Sequence, residues 1–280
     1  MVLVEIQGRS NIIPGAAPKA AVYFAVTGVL VGVLVLTGCV SSSESQNSAT
    51  TSSGSASSSA QGSSSASASA SASVPPPPPS FDRTRFSLDD PNSISVVSNK
   101  HRSLNPSSFE PGDLSTINGV PNNNGQPLRE PAARAVEAMY ADAAGQGISL
   151  IVASAYRSYS LQTSLYNGYV ARDGQVAADT YSARPGYSEH QTGLAVDFDD
   201  DSGCLLEVCF ESTAAGQWLV ANGYKYGFVL RYPYGQDGIT GFTYEPWHFR
   251  YVGVEIATEL HNTGIVTLEQ FFGLEPAPTY

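Results

Sequence analysis

The chain has 280 residues and a formal net charge of −11. That balance excludes a nucleic-acid partner, which would need a basic face. Composition then divides the chain: Val40 to about Ser80 is almost entirely Ser and Ala and closes on Pro75 to Pro79, whereas the roughly 200 residues from Phe81 to Tyr280 are rich in Tyr, Phe, Val and Leu, ample for one core.

At the N-terminus, Arg9 and Lys19 precede an uncharged run, Ala20 to Gly38, that closes on Leu36-Thr37-Gly38-Cys39. This resembles a bacterial lipoprotein signal, in which a basic region and an apolar region lead to a lipobox cysteine that becomes acylated. Residues 1–39 are therefore read as signal peptide and lipobox, with Cys39 the lipidation site and membrane anchor. The alternative is an uncleaved transmembrane anchor, since about 20 apolar residues span a bilayer. Gly28 and Gly32 would then supply a small-xxx-small face. Either way the folded part is expected outside the cell, held at the outer face of the bacterial cytoplasmic membrane.

Residues 40–80 carry too little apolar surface to offset chain entropy and read as a disordered tether. A Ser/Ala chain of about 35 residues spans roughly 30 Å, and the proline run adds a stiff ~15 Å. That reach places the folded part where peptidoglycan would be found. With Cys39 set aside, Cys204 and Cys209 remain. An even pair in an exported domain points to a disulfide, with two free thiols as the alternative.

Residues 81–120, with many Asn, Pro and Ser, read as an irregular lead-in with at most one short strand, and 121–280 as the main domain. From Leu128 the apolar positions Leu128, Ala132, Ala135, Val136, Met139, Tyr140 and Ala143 predict a helix stopped by Gly145 and Gly147. Ile148 to Ser154 predicts a buried strand, and Tyr159 to Val170 a second helix. Gly193 to Phe198 predicts a strand whose alternation sets Asp197 with Gly193 and Ala195 on one face. Thr213 to Asn222 predicts a helix capped by Gly223. Strands follow at Tyr226–Tyr232 and Trp247–Val252, then a helix from Glu255 to His261 and a short one from Thr267 to Phe272. Helices early and late with strands between them predict an α+β fold, a small antiparallel sheet flanked by helices.

Two segments carry chemistry. His190 and Asp197 lie seven apart, and Ser188 and Gly193 suggest a turn that brings His190 back toward the strand of Asp197. Glu245-Pro246-Trp247-His248 cannot be helical, because Pro246 removes a helix-interior donor. On an extended backbone Glu245 and His248 would address one site. Two imidazoles and one carboxylate with an open position suit a hydrolytic zinc site, and a further carboxylate can handle protons. Read singly, each segment is equally an ordinary strand with a satisfied histidine; their joint presence carries the argument. His101 and His261 read as structural, the second at a helix end where a cation suits the dipole.

The pattern Ser188-x-His190-x-x-Gly193-x-Ala195-x-Asp197, followed by Glu245-x-Trp247-His248, resembles the signature of the VanY-type D-alanyl-D-alanine carboxypeptidases. These belong to the LAS metallopeptidases with a Hedgehog-like zinc fold. The likeness extends through Ser154-Ala155-Tyr156-Arg157-Ser158 with Gln162, and through Thr267 to Phe272. The resemblance implies that His190, Asp197 and His248 hold Zn²⁺, that Glu245 is the general base, and that Arg157 stabilises the oxyanion. It further implies that Ser188, Gln162 and Tyr232 grip a free carboxylate through hydroxyl and amide donors, with Trp247 lining the cleft. The implied activity is zinc-dependent D,D-carboxypeptidase action on peptidoglycan stem peptides, by a monomer. The rivals are an L,D-carboxypeptidase or endopeptidase with the same metal site, and a non-catalytic zinc-containing wall-binding module.

Overall fold

The computed structural model describes residues 81–280. The predicted signal 1–39, Cys39 and the tether 40–80 lie outside the described residues. No helix among the described residues is long and apolar enough to cross a membrane.

Leu114–Ser115 (β1) pairs antiparallel with Leu128–Arg129 (β2), and Glu130–Gly145 (α1) follows at once. The helix starts two residues later than its apolar spacing suggests. Pro131 fits only the first helical turn, so Leu128 and Arg129 are left extended. Ala132, Val136, Met139 and Ala143 are fully buried, as an amphipathic stripe requires. Ile151–Ser154 (β3) leads through Arg157 to Tyr159–Asp173 (α2), whose first turn is capped by the Ser158 hydroxyl. Gly174, at φ 82°, breaks that helix before Gln175–Tyr181 (α3), an element the apolar pattern does not announce because only Ala178 in it is buried.

Ala195–Asp199 (β4), Phe228–Leu230 (β5) and His248–Tyr251 (β6) complete a four-stranded sheet in the order β3-β4-β6-β5, every neighbouring pair antiparallel. Every residue of β4 is buried, so both its faces are covered. One face sends Val196, Phe198, Phe249 and Phe228 into the main core with α1 and Ala214–Asn222 (α4). The other carries Asp197 opposite His248 in register.

Gly223 is the C-cap of α4 as predicted, its amide bonded to the Leu219 carbonyl, but not in the left-handed conformation that glycine caps favour. Gly223 keeps right-handed helical backbone (φ −52°, ψ −36°), and the chain runs on through a 3-10 turn to Tyr226. The left-handed residue is Gly227, at φ 85°, where a side chain would collide with Gly253 and Val254. Between β5 and β6 lies the single turn Asp237–Thr240 (α5). Val254–Thr263 (α6) ends at left-handed Gly264, and Leu268–Phe272 (α7) is capped by Thr267. These last helices form a second core of Val252, Ile256, Ala257, Leu260, Leu268 and Phe271.

Beyond a 3-10 turn at Arg83–Arg85 and the short strand β1, residues 81–120 are irregular in backbone yet firmly packed. Val96, Leu104, Phe109, Ile117 and Val120 belong to the main core, and Val97 to the second. Cys204 and Cys209 form a disulfide in the connection between β4 and α4. His261, in the last turn of α6, stacks on Tyr224.

Candidate active site

His190 is carried on a 3-10 turn, Glu189–Thr192, that left-handed Gly193 ends. The backbone carbonyl of His190 accepts from the amides of both Gly193 and Arg157, at 3.2 Å each, tying this turn to the end of β3. Its ring is fixed from behind, with Nδ1 2.7 Å from the Ala155 carbonyl, which leaves Nε2 facing Asp197. Asp197 and His248 are register partners on β4 and β6, so their side chains emerge from the same face of the sheet.

The three side chains meet closely. His190 Nε2 lies 3.2 Å from Asp197 Oδ2, and His248 Nδ1 lies 3.0 Å from Asp197 Oδ1. One ligand atom from each of His190, Asp197 and His248 falls within 4.8 Å of the others. Glu245 Oε2 stands beside them, 3.7 Å from His248 Nδ1. All four residues are buried. His190 Nε2 and Asp197 Oδ1 have no hydrogen-bond partner despite these distances, so their lone pairs converge on shared space and are not spent on each other. Buried imidazole and carboxylate atoms left without partners, aimed at one point, fit a divalent metal of zinc's preferences.

Electrostatics divide the carboxylates. Burial pushes the Glu245 carboxyl up to about 8, opposed by His248 and reinforced by Asp197. Burial works against ionised Asp197 as well, but His190 and His248 hold it well below the usual range. His190 is lowered to about 4, first by burial and then by the Arg157 guanidinium. For His248 burial is outweighed by the carboxylates of Asp197 and Glu189, which raise it to about 9. A dication among these groups would favour neutral His248 and ionised Glu245.

A small recess opens onto the cluster, lined by Arg157, Gln162, Ser188, Tyr232, Glu245 and His248 among others. Arg157 keeps its Nε buried and unpartnered. Tyr232 is buried against Phe242 and the His248 ring, and burial raises its phenol well above the ordinary value, so it remains a hydroxyl donor. Two expected substrate contacts are placed differently. Gln162 lines the recess, but its amide nitrogen is held 2.7 Å from the Ala183 carbonyl, and Oε1 is the atom left without a partner. It offers an acceptor there, not the predicted donor for a carboxylate. Trp247, in the turn that leads into β6, is not among the residues that line the recess and packs half-buried against the main core.

Spacing also passed over Glu189. It is buried between Arg231 (2.8 Å) and Arg250 (3.0 Å), and nothing in the local sequence points to arginines so far along the chain. Gln191 was missed as well. Its side-chain amide bonds the carbonyls of Ser107 and Phe109 and pins the irregular lead-in beneath the site.

Residues 125–254 match the family model of VanY, D-alanyl-D-alanine carboxypeptidase. YodJ of Bacillus subtilis is 39% identical over 192 residues, 66% of this chain and 69% of that protein. This chain belongs to the VanY D-alanyl-D-alanine carboxypeptidase family. Among solved structures, the LdcB LD-carboxypeptidase is 39% identical with a TM-score of 0.61, over 65% of this chain and 87% of that one. The vancomycin-resistance D,D-pentapeptidase VanY from a VanB-type cassette, in complex with Zn(II), is 31% identical with a TM-score of 0.53, over 63% of this chain and 97% of that one. The fold is thus that of the VanY and LdcB zinc carboxypeptidases, a Hedgehog-like fold.

Proposed function

We propose that this chain is a zinc-dependent carboxypeptidase that removes the terminal D-alanine from peptidoglycan stem peptides. The observation that carries the reading is the buried set His190, Asp197 and His248, with unspent lone pairs on His190 Nε2 and Asp197 Oδ1, beside a carboxyl that needs no place among the ligands. A structural zinc site has no use for such a spare group and is normally closed by a fourth protein ligand.

His190 Nε2, an Asp197 carboxylate oxygen and His248 Nδ1 would hold the ion. Zn²⁺ bound there supplies Lewis-acid polarisation of the scissile carbonyl and acidifies water. Glu245 takes a proton at its carboxylate and returns it to the leaving amine. Arg157, with Nε free of internal partners, binds the charge that grows on the carbonyl oxygen. Ser188 and Tyr232 are the hydroxyl donors at hand for a substrate carboxylate.

A second reading is L,D-carboxypeptidase action on tetrapeptides. What favours it is that the LdcB LD-carboxypeptidase is nearer in sequence, at 39% identity, than the D,D-pentapeptidase VanY, at 31%. Incubation with defined pentapeptide and tetrapeptide, with and without a chelator, separates the two. Chelator-sensitive release of D-alanine from pentapeptide supports the first; release from tetrapeptide alone overturns it in favour of the second.

The anchor belongs to the same reading: acylation at Cys39 would hold a monomer outside the cytoplasmic membrane, within reach of the wall. The Leu36-Thr37-Gly38-Cys39 lipobox supports this. Cys39→Ser should move the protein into the soluble fraction after cell disruption, and continued tight membrane retention would favour a transmembrane anchor.

A further inference from the structure

The functional groups named so far leave Glu189 without a part to play. It is 1% exposed, and its Oε1 accepts from Arg231 Nε at 2.8 Å and Arg250 Nη1 at 3.0 Å. Arg231 also grips Glu269 with two bonds, at 2.9 and 2.7 Å, and Glu269 Oε1 accepts from Asn99 Nδ2 at 3.0 Å. Two buried guanidiniums are thus matched by two buried carboxylates. The other oxygen of Glu189, Oε2, has no hydrogen-bond partner. His248 Nε2 is in the same condition and lies 3.6 Å away, just outside hydrogen-bond range.

We propose that Glu189 is the positioning residue of His248, its Oε2 accepting the Nε2–H and so fixing the tautomer whose Nδ1 lone pair faces Asp197. The inference rests on the zinc reading above. An imidazole ligates only through a nitrogen that carries no proton, so the proton must reside on the other one. His248 Nδ1 is the nitrogen turned to the cluster, 3.0 Å from Asp197 Oδ1. His190 solves the same problem with the Ala155 carbonyl. His248 has a carboxylate instead, which makes its ring the more basic ligand. The two arginines clamp Oε1, so the carboxylate cannot swing away from the ring.

Glu189→Gln tests this while keeping volume and shape. The arginines demand its carbonyl oxygen, so its NH₂ group meets His248 Nε2, and a donor facing a donor forces the proton to Nδ1. Zinc affinity, measured by competition with a chromophoric chelator, should fall about 10–100-fold. Glu269→Gln breaks the same ion-pair network at its far end and should stay within about threefold of wild type. Equal losses in the two variants, or no loss in Glu189→Gln, would overturn the proposal. Should Glu189→Gln fail to fold, ¹⁵N-histidine NMR of the zinc-loaded wild type decides: a slowly exchanging Nε2–H on His248 is expected, and a proton at Nδ1 refutes the assignment. A wild type that holds no zinc sinks the hydrolase reading along with this inference. A zinc-binding wild type with an indifferent Glu189→Gln sinks this inference alone.

Discussion

Glu245 and His190 are both buried in one cluster, yet the geometry gives them separable duties. Glu245 Oε2 touches the site only at its margin, 3.7 Å from His248, whereas His190 Nε2 sits among the converging lone pairs. Glu245→Gln should therefore keep zinc near full occupancy and lose about 10²–10⁴-fold in kcat, the usual worth of a positioned acid–base group. His190→Ala should lose the metal itself. Metal analysis alongside turnover checks both; loss of metal and turnover together in Glu245→Gln would remove it from the role of base. At this scale the chemistry-bearing types were legible because zinc and proton transfer admit few side chains, and the spacing between His190 and Asp197 matches a turn followed by a strand. Orientation was not legible. The Gln162 amide is claimed by a carbonyl at Ala183, and Glu189 answers to Arg231 and Arg250, partners that only the folded chain brings near.

Elements owe their boundaries to single residues here. Gly193 is the joint between the turn that holds His190 and the strand that holds Asp197, at φ 68°. A side chain there would stand 2.9 Å from Arg129 Cγ and 3.1 Å from Leu114 Cδ2, so two constraints act at once. Gly193→Ala should cost about 1–3 kcal/mol in denaturant unfolding through left-handed strain alone, and should weaken zinc binding as the two ligands shift apart. Unchanged midpoint and unchanged affinity would show that the joint tolerates a side chain. The long helices could be read from the sequence because α1 presents an unbroken apolar stripe. By contrast α3 buries one alanine, and β1 and β2 are two residues each, too short for any periodicity to register. Gly223 caps α4 where its position suggests, yet the left-handed turn comes four residues on, at Gly227, because glycine permits that conformation without requiring it.

Across the whole molecule, the irregular residues 81–120 decide whether the site can exist apart from them. They bury Val96, Leu104, Phe109, Ile117 and Val120 in the main core and Val97 in the second, and Asn99 closes the ion-pair network at Glu269. Each such apolar side chain, where fully buried, contributes about 1.5–3 kcal/mol of burial free energy. Removing the segment bares to water the apolar faces of both cores that these side chains cover. A fragment of residues 81–280 should unfold cooperatively and bind zinc, while one of residues 121–280 should show no cooperative transition by circular dichroism and no tight zinc site. Composition concealed this, since Asn, Pro and Ser dominate the segment and its few apolar residues follow no period. A cooperative, zinc-binding 121–280 fragment would mean that the sheet and its helices carry the metal centre unaided.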